Sequence, residues 1–461
     1  MANTFSGVEF GANLTNKDVP STDSLATKLL DSTSLSVRIA TVSAGALPFL
    51  MCHQYHPGVL AYFEPRNVAT WPQLSKAGLP HDPPEIYDLD RFLCQSRRLA
   101  RLFTQISLPS PSRGGFLTDS ILPILTIEST CDETAAAVIS DDGAVMGQCI
   151  ATQEALHERF RGVVPEVAAR AHLERILPVI DTAIRQAEVS PDDLDAIAVA
   201  DRPGLAGSLL VGVVAAKTLA IAWQKPLVTV NHLHAHLYAC QLSCESSVYP
   251  CVGLIVSGGH TSLYYCTSPL DLEYLGGTID DAAGEAFDKV GAMLSLGFPG
   301  GPAVSKLAAE GKRDAYAFPR SMVHEKHFDF SFSGLKTAVR YAITGPGQQD
   351  FASLKIDPTI KADVCASFET AVVDVLVRKS RRALKMRHCK QLIIGGGVAA
   401  NGYLRDQFHN AAEKDGFALT IAPPELCTDN AVMGAIALEK MRRGDFASFD
   451  LDITPGLQRG F

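Results

Sequence analysis

Two histidines, His232 and His236, stand four positions apart in the stretch Asn231-His232-Leu233-His234-Ala235-His236-Leu237. If that stretch is helical, four residues make about one turn, and both imidazoles leave from the same face. The spacing suits two nitrogen ligands on one metal ion, as in the helical His-Glu-x-x-His zinc motif. The glutamate of that motif is absent, because Leu233 and His234 follow His232. The pattern therefore points to metal binding, and the missing general base argues against a zinc peptidase. A surface helix that is merely rich in histidine is the competing reading. Asn231 is a good N-cap, so the helix is predicted to start at His232, with His234 facing away from the pair.

Acids that could join this pair lie far away in the chain. Asp429, in Cys427-Thr428-Asp429-Asn430-Ala431, is an isolated acid before a small-residue helix from Ala431 to Arg442. It either caps that helix or supplies a third ligand; two histidines and one carboxylate with open positions suit a divalent transition metal that also holds a substrate. Asp132 and Glu133 sit in a polar turn, Glu128 to Thr134, between two predicted strands. Such a turn can place amides and hydroxyls around a phosphate, but its acids fit only through a metal or a proton. Taken alone, the stretch reads better as a plain hairpin turn. Ser257-Gly258-Gly259-His260-Thr261 is a second turn of this kind, and its glycines let the backbone approach an anion closely. Gln391 to Asn401 reads as strand, triple glycine and helix, a nucleotide-binding shape without the Gly-x-Gly-x-x-Gly order of a dinucleotide site. Asp280, Asp281 and Glu285 supply negative charge to a helix N-terminal turn, and Asp288 lies deeper in that helix beside Lys289.

The elements that must position these residues alternate between strands and helices. Strand, small-residue turn and returning strand occur twice, from Ile124 and from Val252, roughly 130 residues apart, each time leading into helices. Two similar lobes with a cleft between them follow from that repeat. The apolar stretch Leu205 to Trp223, broken by Gly207, Ser208, Gly212 and Lys217, reads as a buried helix rather than a bilayer span. A long helix from about Lys361 to Lys385 ends in a basic run, Arg378 to Lys390. Basic residues suit a helix C-terminus; the same run is a candidate RNA-backbone contact.

The net charge of -9 means the whole molecule does not attract nucleic acid, so such a partner needs a local basic patch. Eleven cysteines without a Cys-x-x-Cys pair read as free thiols in a reducing compartment. Residues 1–118 differ from the rest: rich in Ser, Thr and Pro, weakly periodic, and read as a loosely ordered extension. Within it, Arg91, Arg97, Arg98, Arg101 and Arg113 fall in an acid-poor, partly amphipathic stretch with the composition of a mitochondrial presequence, placed late for one. A basic linker fits the same residues.

From about residue 122 to 455 the chain resembles the tRNA threonylcarbamoyladenosine transferase family, whose members were once labelled O-sialoglycoprotein endopeptidases. The likeness is carried by Ile127 to Thr134, Gly162 to His172, Pro203 to Gly212, Lys217 to Leu237, Val256 to Thr261, Asp280 to Lys289, Pro299 to Pro302, Asp329 to Thr337, Gly395 to Asn401 and Cys427 to Asn430. Val163-Val164-Pro165-Glu166 and Ser331-Phe332-Ser333-Gly334-Leu335-Lys336 mark the bacterial and mitochondrial branch. The resemblance implies an α/β, actin/hexokinase/Hsp70-like duplicated two-lobe fold with a central cleft. The expected division is an extension over 1–118, lobe I over 119–246, lobe II over 247–430, and a tail over 431–461 returning to lobe I.

It also implies His232, His236 and Asp429 as ligands of one divalent metal ion per subunit, iron or zinc. Ile255, Val256, Ser257, Gly258, Gly259, Asp288, Gly301 and Asn401 would line the substrate site, and Asp132 and Glu133 would be the functionally important acids. The implied reaction moves a threonylcarbamoyl group from threonylcarbamoyl-AMP, made by a separate synthase, to the exocyclic amine of the adenosine next to the anticodon in tRNAs reading ANN codons. Asp132, Glu133 and Asp288 are candidates to accept the amine proton. The branch implies a homodimer that needs no membrane and works in mitochondria, with the cytoplasm as the alternative. A metallopeptidase and an ATP-dependent small-molecule kinase are the rival activities, and a non-catalytic scaffold is the rival without one. One departure stands out: Arg202 occupies the position before Pro203-Gly204 where the family usually has glycine.

Overall fold

A computed structural model describes residues 38–40, 49–51, 122–160, 162–345 and 356–456. The chain forms two compact units, Met1–Ser96 and Arg97–Phe461. In the first, Arg38–Ala40 pairs antiparallel with Phe49–Met51. The loose order and the presequence-like stretch expected of residues 1–118 otherwise lie outside the described residues.

The second unit holds two five-stranded sheets. The first comprises β1 (Ile124–Glu128), β2 (Glu133–Ile139), β3 (Val145–Thr152), β4 (Ala196–Arg202) and β5 (Leu227–Asn231). The second comprises β6 (Cys251–Val256), β7 (Thr261–Cys266), β8 (Leu272–Gly277), β9 (Gln391–Gly395) and β10 (Ala418–Ile421). Their orders are β3-β2-β1-β4-β5 and β8-β7-β6-β9-β10. In both, the first three strands are an antiparallel meander, and the last two join parallel after helical crossovers. One topology used twice is the duplicated two-lobe α/β fold expected from the strand-turn-strand repeat.

Strand alternation assigns the faces. Leu125 and Ile127 of β1 join a core with Ile176, Ile180 and Val213 of helices α1 (Pro165–Gln186) and α2 (Ala206–Trp223). Ile124 faces the other way, into the large core shared with the second sheet and helix α3 (His232–Leu242). Thr126 and Glu128 share that face with Ile124, so β1 ends with its carboxylate turned toward α3.

Helix α2 departs from the reading of a wholly buried helix. Ser208, Leu209, Gly212, Val213, Ala216 and Ala220 are buried, whereas Leu210 and Val214 are half exposed. The helix is long and apolar enough to cross a bilayer by length and composition alone. Here, however, its inner face packs on the first sheet, and a Cβ on Gly212 would lie 2.3 Å from Ser129 Oγ. That close approach is why small residues occupy this helix.

The basic run is divided between buried, half-buried and exposed positions. Lys379 is 1% exposed, inside the long helix Pro358–Met386, and donates to the carbonyls of His327 and Asp329. Between α3 and α7 lie α4 (Ala283–Met293), α5 (Gly300–Ala308) and α6 (Ser333–Thr344); α7 itself is Pro358–Met386. Arg381 forks onto Asp415, Arg382 binds the carbonyls of Glu325 and His327, and Arg387 pairs with Glu273. Arg378 pairs with Asp374, and Lys385 and Lys390 are exposed. Lys379, Arg381, Arg382 and Arg387 thus help tie lobe II together, while Arg378, Lys385 and Lys390 stay exposed on its surface.

Candidate metal centre and its surroundings

Asn231 ends β5 and caps α3, its side chain accepting from the Leu233 and His234 amides at 2.9 and 3.3 Å. Helix α3 then runs between the two sheets. Cys240 Sγ bonds the Ile394 carbonyl on β9, and a Cβ on Gly395 would lie 2.3 Å from the His236 carbonyl. Eight of its eleven residues are buried, His232 and His236 among them, which removes the reading of a histidine-rich surface helix.

The two imidazoles meet edge to face with centroids 4.6 Å apart. Asp429 arrives from the other end of the chain. Its Oδ1 lies 3.0 Å from His236 Nε2 and 3.6 Å from His232 Nε2. Asp429 is fixed by its neighbours: Thr126 Oγ1 on β1 donates to the Ala431 carbonyl at 2.7 Å, and Asn430 caps Met433 N at 3.1 Å. The capping work falls to Asn430, and Asp429 points at the histidines.

One potential ligand atom from each of the three residues lies within 4.8 Å of the others. Metal–nitrogen and metal–oxygen bonds of about 2.0–2.2 Å in a tetrahedral site put ligand atoms about 3.4 Å apart, so the trio fits a metal with little rearrangement. The second nitrogen of His232 supports the same use. Nδ1 lies 3.1 Å from Glu128 Oε2 and 3.1 Å from Thr130 Oγ1. A carboxylate holding the far nitrogen fixes a ligand histidine's tautomer and orientation. Burial works against charge on His232, but Asp429 and Glu128 outweigh it and raise its pKa to about 9. Partial burial opposes charge on Asp429, yet the neighbouring His232 and His236 hold it well below the usual carboxylate range.

The acid-rich turn between β1 and β2 abuts this trio. Glu133 is pushed well above the usual range by burial, then by the charges of Asp429 and Asp132, and it hydrogen-bonds Asp132. His260, from the glycine turn of the second sheet, lies with its ring centroid 6.3 Å from that of His232. Burial and the two neighbouring histidines lower it to about 3.

The other expected site residues divide by what remains free. Ile255 and Val256 are fully buried in β6, so only their backbone can face a ligand. Gly258 and Gly259 are exposed, with open space where a Cβ would stand. Asp288 Oδ1 accepts from Gly300 N at 2.8 Å and Gly301 N at 3.3 Å, at the start of α5; burial raises its pKa first, against those two bonds. Asn401 has no free amide hydrogen-bonding face: Nδ2 donates to Glu369 Oε1 at 2.8 Å and Ser305 Oγ at 3.1 Å, while Oδ1 caps Leu404 N at 2.8 Å. Glu369 is fully buried and pairs with Arg313 at 2.9 Å. Asp288 thus spends one carboxylate oxygen on the start of α5, and Asn401 spends both amide hydrogens within lobe II. Asp280 and Asp281, expected as helix N-terminal charges, instead bind the Ser331–Ser333 turn and the ammoniums of Lys289 and Lys336.

Glu128, Thr130, His260 and Glu369 were not singled out in sequence. Glu128 had a signal: alternation along β1 aims it to the side of Ile124 and Thr126. Glu369, inside a long amphipathic helix, had none.

A duplicated two-lobe α/β chain with two buried histidines meeting a half-buried aspartate at the lobe junction defines a candidate metalloenzyme. Its sequence matches the family model for tRNA N6-adenosine threonylcarbamoyltransferase over residues 144–436. A protein of that name from Rhodopirellula baltica is 72% identical over 350 residues, 73% of this chain and 98% of that one. One from an Anaeromyxobacter species is 48% identical over 334 residues, 72% of this chain and 98% of that one. One from Staphylococcus aureus is 44% identical over 337 residues, 73% of this chain and 96% of that one. This chain belongs to the tRNA N6-adenosine threonylcarbamoyltransferase family, a family of transferases that modify tRNA.

Proposed function

We propose that this enzyme transfers the threonylcarbamoyl group of threonylcarbamoyl-AMP to the exocyclic amine of the adenosine beside the anticodon in tRNAs reading ANN codons. The observation that carries the reading is the convergence of His232, His236 and Asp429 beside the Glu128–Glu133 turn and the Ser257–Gly259 turn, in a chain of this family. The trio would hold one iron or zinc ion, which when bound orients the donor and polarises an oxygen. Glu128 keeps the His232 ring in place. The amides of the exposed Gly258 and Gly259 would steady phosphate charge, and Asp288 and Asn401 would line the nucleotide site.

The amine nitrogen forms a bond to the carbamoyl carbon, the carbon–phosphate oxygen bond breaks, and AMP leaves. The donor is already activated, so no covalent enzyme nucleophile is needed. One amine proton must be accepted. Asp132, Glu133 and Asp288 are the carboxylates that could take it, Asp288 through the oxygen not spent on Gly300 and Gly301.

A second copy of the chain would pair through α1 and α2. Leu173 and Leu177 are 60% and 58% exposed, and Leu210 and Val214 are 49% and 50% exposed. They stand at i, i+4 spacing on two helices that pack together, an apolar surface suited to an isologous dimer. Leu177→Asp with Leu210→Asp is expected to give a monomer by light scattering. Mitochondrial placement rests on the arginine-rich stretch 91–115; a fluorescent fusion that keeps its distribution after deletion of residues 1–118 would overturn it.

The activity test is direct. Threonylcarbamoyl-AMP and unmodified tRNA are incubated with metal-loaded protein, and the modified nucleoside is sought by mass spectrometry. Absence of product with the metal in place removes the reading.

A further inference from the structure

We propose that this chain has a second ligand site, on the other flank of α3 from the histidine pair, built to take a 5′-ribonucleotide. A cavity of about 310 Å³ opens at the carboxyl ends of the parallel strands β4 and β5. In open α/β sheets that is where ligands bind. His234 lines it; His232 and His236 do not. The transferase reading does not require it.

Asp201 carries the argument. The β4–β5 register shifts between Ala200 and Arg202, which leaves Asp201 as an extra, unpaired residue at the strand end. A bulge re-aims a side chain, and here the bulged residue lines the cavity. Asp201 is 0% exposed. Its Oδ2 accepts both Arg202 Nε at 2.9 Å and Arg202 Nη2 at 2.6 Å. Its Oδ1 is buried and has no hydrogen-bond partner among the described residues. A buried carboxylate oxygen left unpaired is costly, so the site calls for a hydrogen-bond donor.

The rest of the lining sets the ligand class. Arg202, at the position where the resembled family usually has glycine, keeps three of its five N–H donors beyond those spent on Asp201. Arg443 and Lys440 line the cavity from the C-terminal helix Ile436–Arg442 and the residue after it; Lys440 is spent on Thr229 and on Asp445, a further lining acid, and Arg443 Nη2 meets Asp271 at 2.9 Å, so the donors left for an anion are the unspent guanidinium N–H groups of Arg202 and Arg443. Guanidinium groups match phosphate oxygens in a fixed fork. A carboxylate suits ribose hydroxyls, as at dinucleotide sites, and Leu270 and Ile436 offer apolar wall to a base. Phosphate at Arg202 and Arg443, ribose at Asp201 and base on the apolar wall is one ribonucleotide, free or within an RNA strand.

Equilibrium dialysis of the full chain with AMP tests this, with Arg202→Gly and the exposed-rim variant Arg443→Ala as comparisons. Two bound equivalents in the wild type, falling to one in either folded variant with the remaining affinity unchanged, support a free nucleotide. One AMP equivalent throughout, with tRNA bound at least tenfold more weakly by Arg443→Ala, supports the same site reading a nucleotide of RNA. One equivalent throughout with unchanged tRNA binding, or two equivalents that survive both substitutions, overturns the proposal. Product formation in the transfer assay reports on the active site separately.

Discussion

The two sheets share one strand order, yet their first hairpin turns have opposite characters. In the first sheet the turn is Ser129-Thr130-Cys131-Asp132, flanked by Glu128 and Glu133 and packed beneath Gly204 and Gly212. In the second it is Ser257-Gly258-Gly259-His260, and its glycines stand free. A duplicated scaffold presents the same backbone shape twice. Side chains then divide the labour: acids and a carboxylate that holds His232 on one side, bare amides on the other. Helix α3 crosses between the sheets and puts its histidines where both turns reach, with Asp429 closing the set.

That division is broken most severely at the trio. Asp429→Ala and His236→Ala should each lose bound metal, measured by elemental analysis, and lose transfer activity with it. The loss of affinity should exceed the roughly 100-fold ceiling typical of outer-sphere partners. Full metal occupancy in either variant would show that the three residues are not the ligand set. Glu128→Gln sharpens the contrast. It keeps the size of the side chain but removes the charge facing His232 Nδ1. Metal affinity should fall about 10- to 100-fold while the fold is retained. An unchanged affinity would make the first turn's carboxylate a structural group only.

The glycine turn should respond in a different currency. A Cβ at Gly258 meets nothing within 4 Å, and the residue's φ is not positive. Gly258→Ala should therefore shift stability by less than about 0.5 kcal/mol. If the amide there faces the donor's phosphate, KM for threonylcarbamoyl-AMP should rise about tenfold with kcat nearly constant, because the lost contact is made equally before and during reaction. A kcat effect without a KM effect would place this turn nearer the reacting atoms than the comparison allows.

Legibility in the sequence followed from how local each signal was. The histidine pair and its Asn231 cap are contiguous, and helical periodicity sufficed. The duplication was visible because a strand-turn-strand unit is short and its turns are chemically marked. Asp429 lies 193 residues from His236, so no local rule could join them; the resemblance did. The basic run was ambiguous for a definite reason. Charge counted along a helix does not reveal whether carbonyls of another segment, here His327 and Asp329, wait to receive it. Arg202 looked like an intruder into a glycine position, and only the bulge at Asp201 shows what it holds.

The smallest effect separates buried charge that serves chemistry from buried charge that serves folding. Lys379 sits in lobe II, 1% exposed, with its ammonium on two carbonyls. Burial, then the charge of Arg382, lowers its pKa from 10.5 to about 8. The native state therefore releases this proton more readily than the unfolded chain. Between about pH 8 and 10.5 the unfolded state binds more protons at this site, so its contribution makes stability rise with pH across that window. Below pH 8 both states are protonated and the contribution is flat. Urea unfolding of wild type and Lys379→Met across this range isolates the site. The stability difference should tilt toward the wild type from pH 8 upward, while metal binding at the trio stays the same. A pH-independent difference would mean that Lys379 keeps its proton throughout, held by its carbonyls more strongly than burial opposes it.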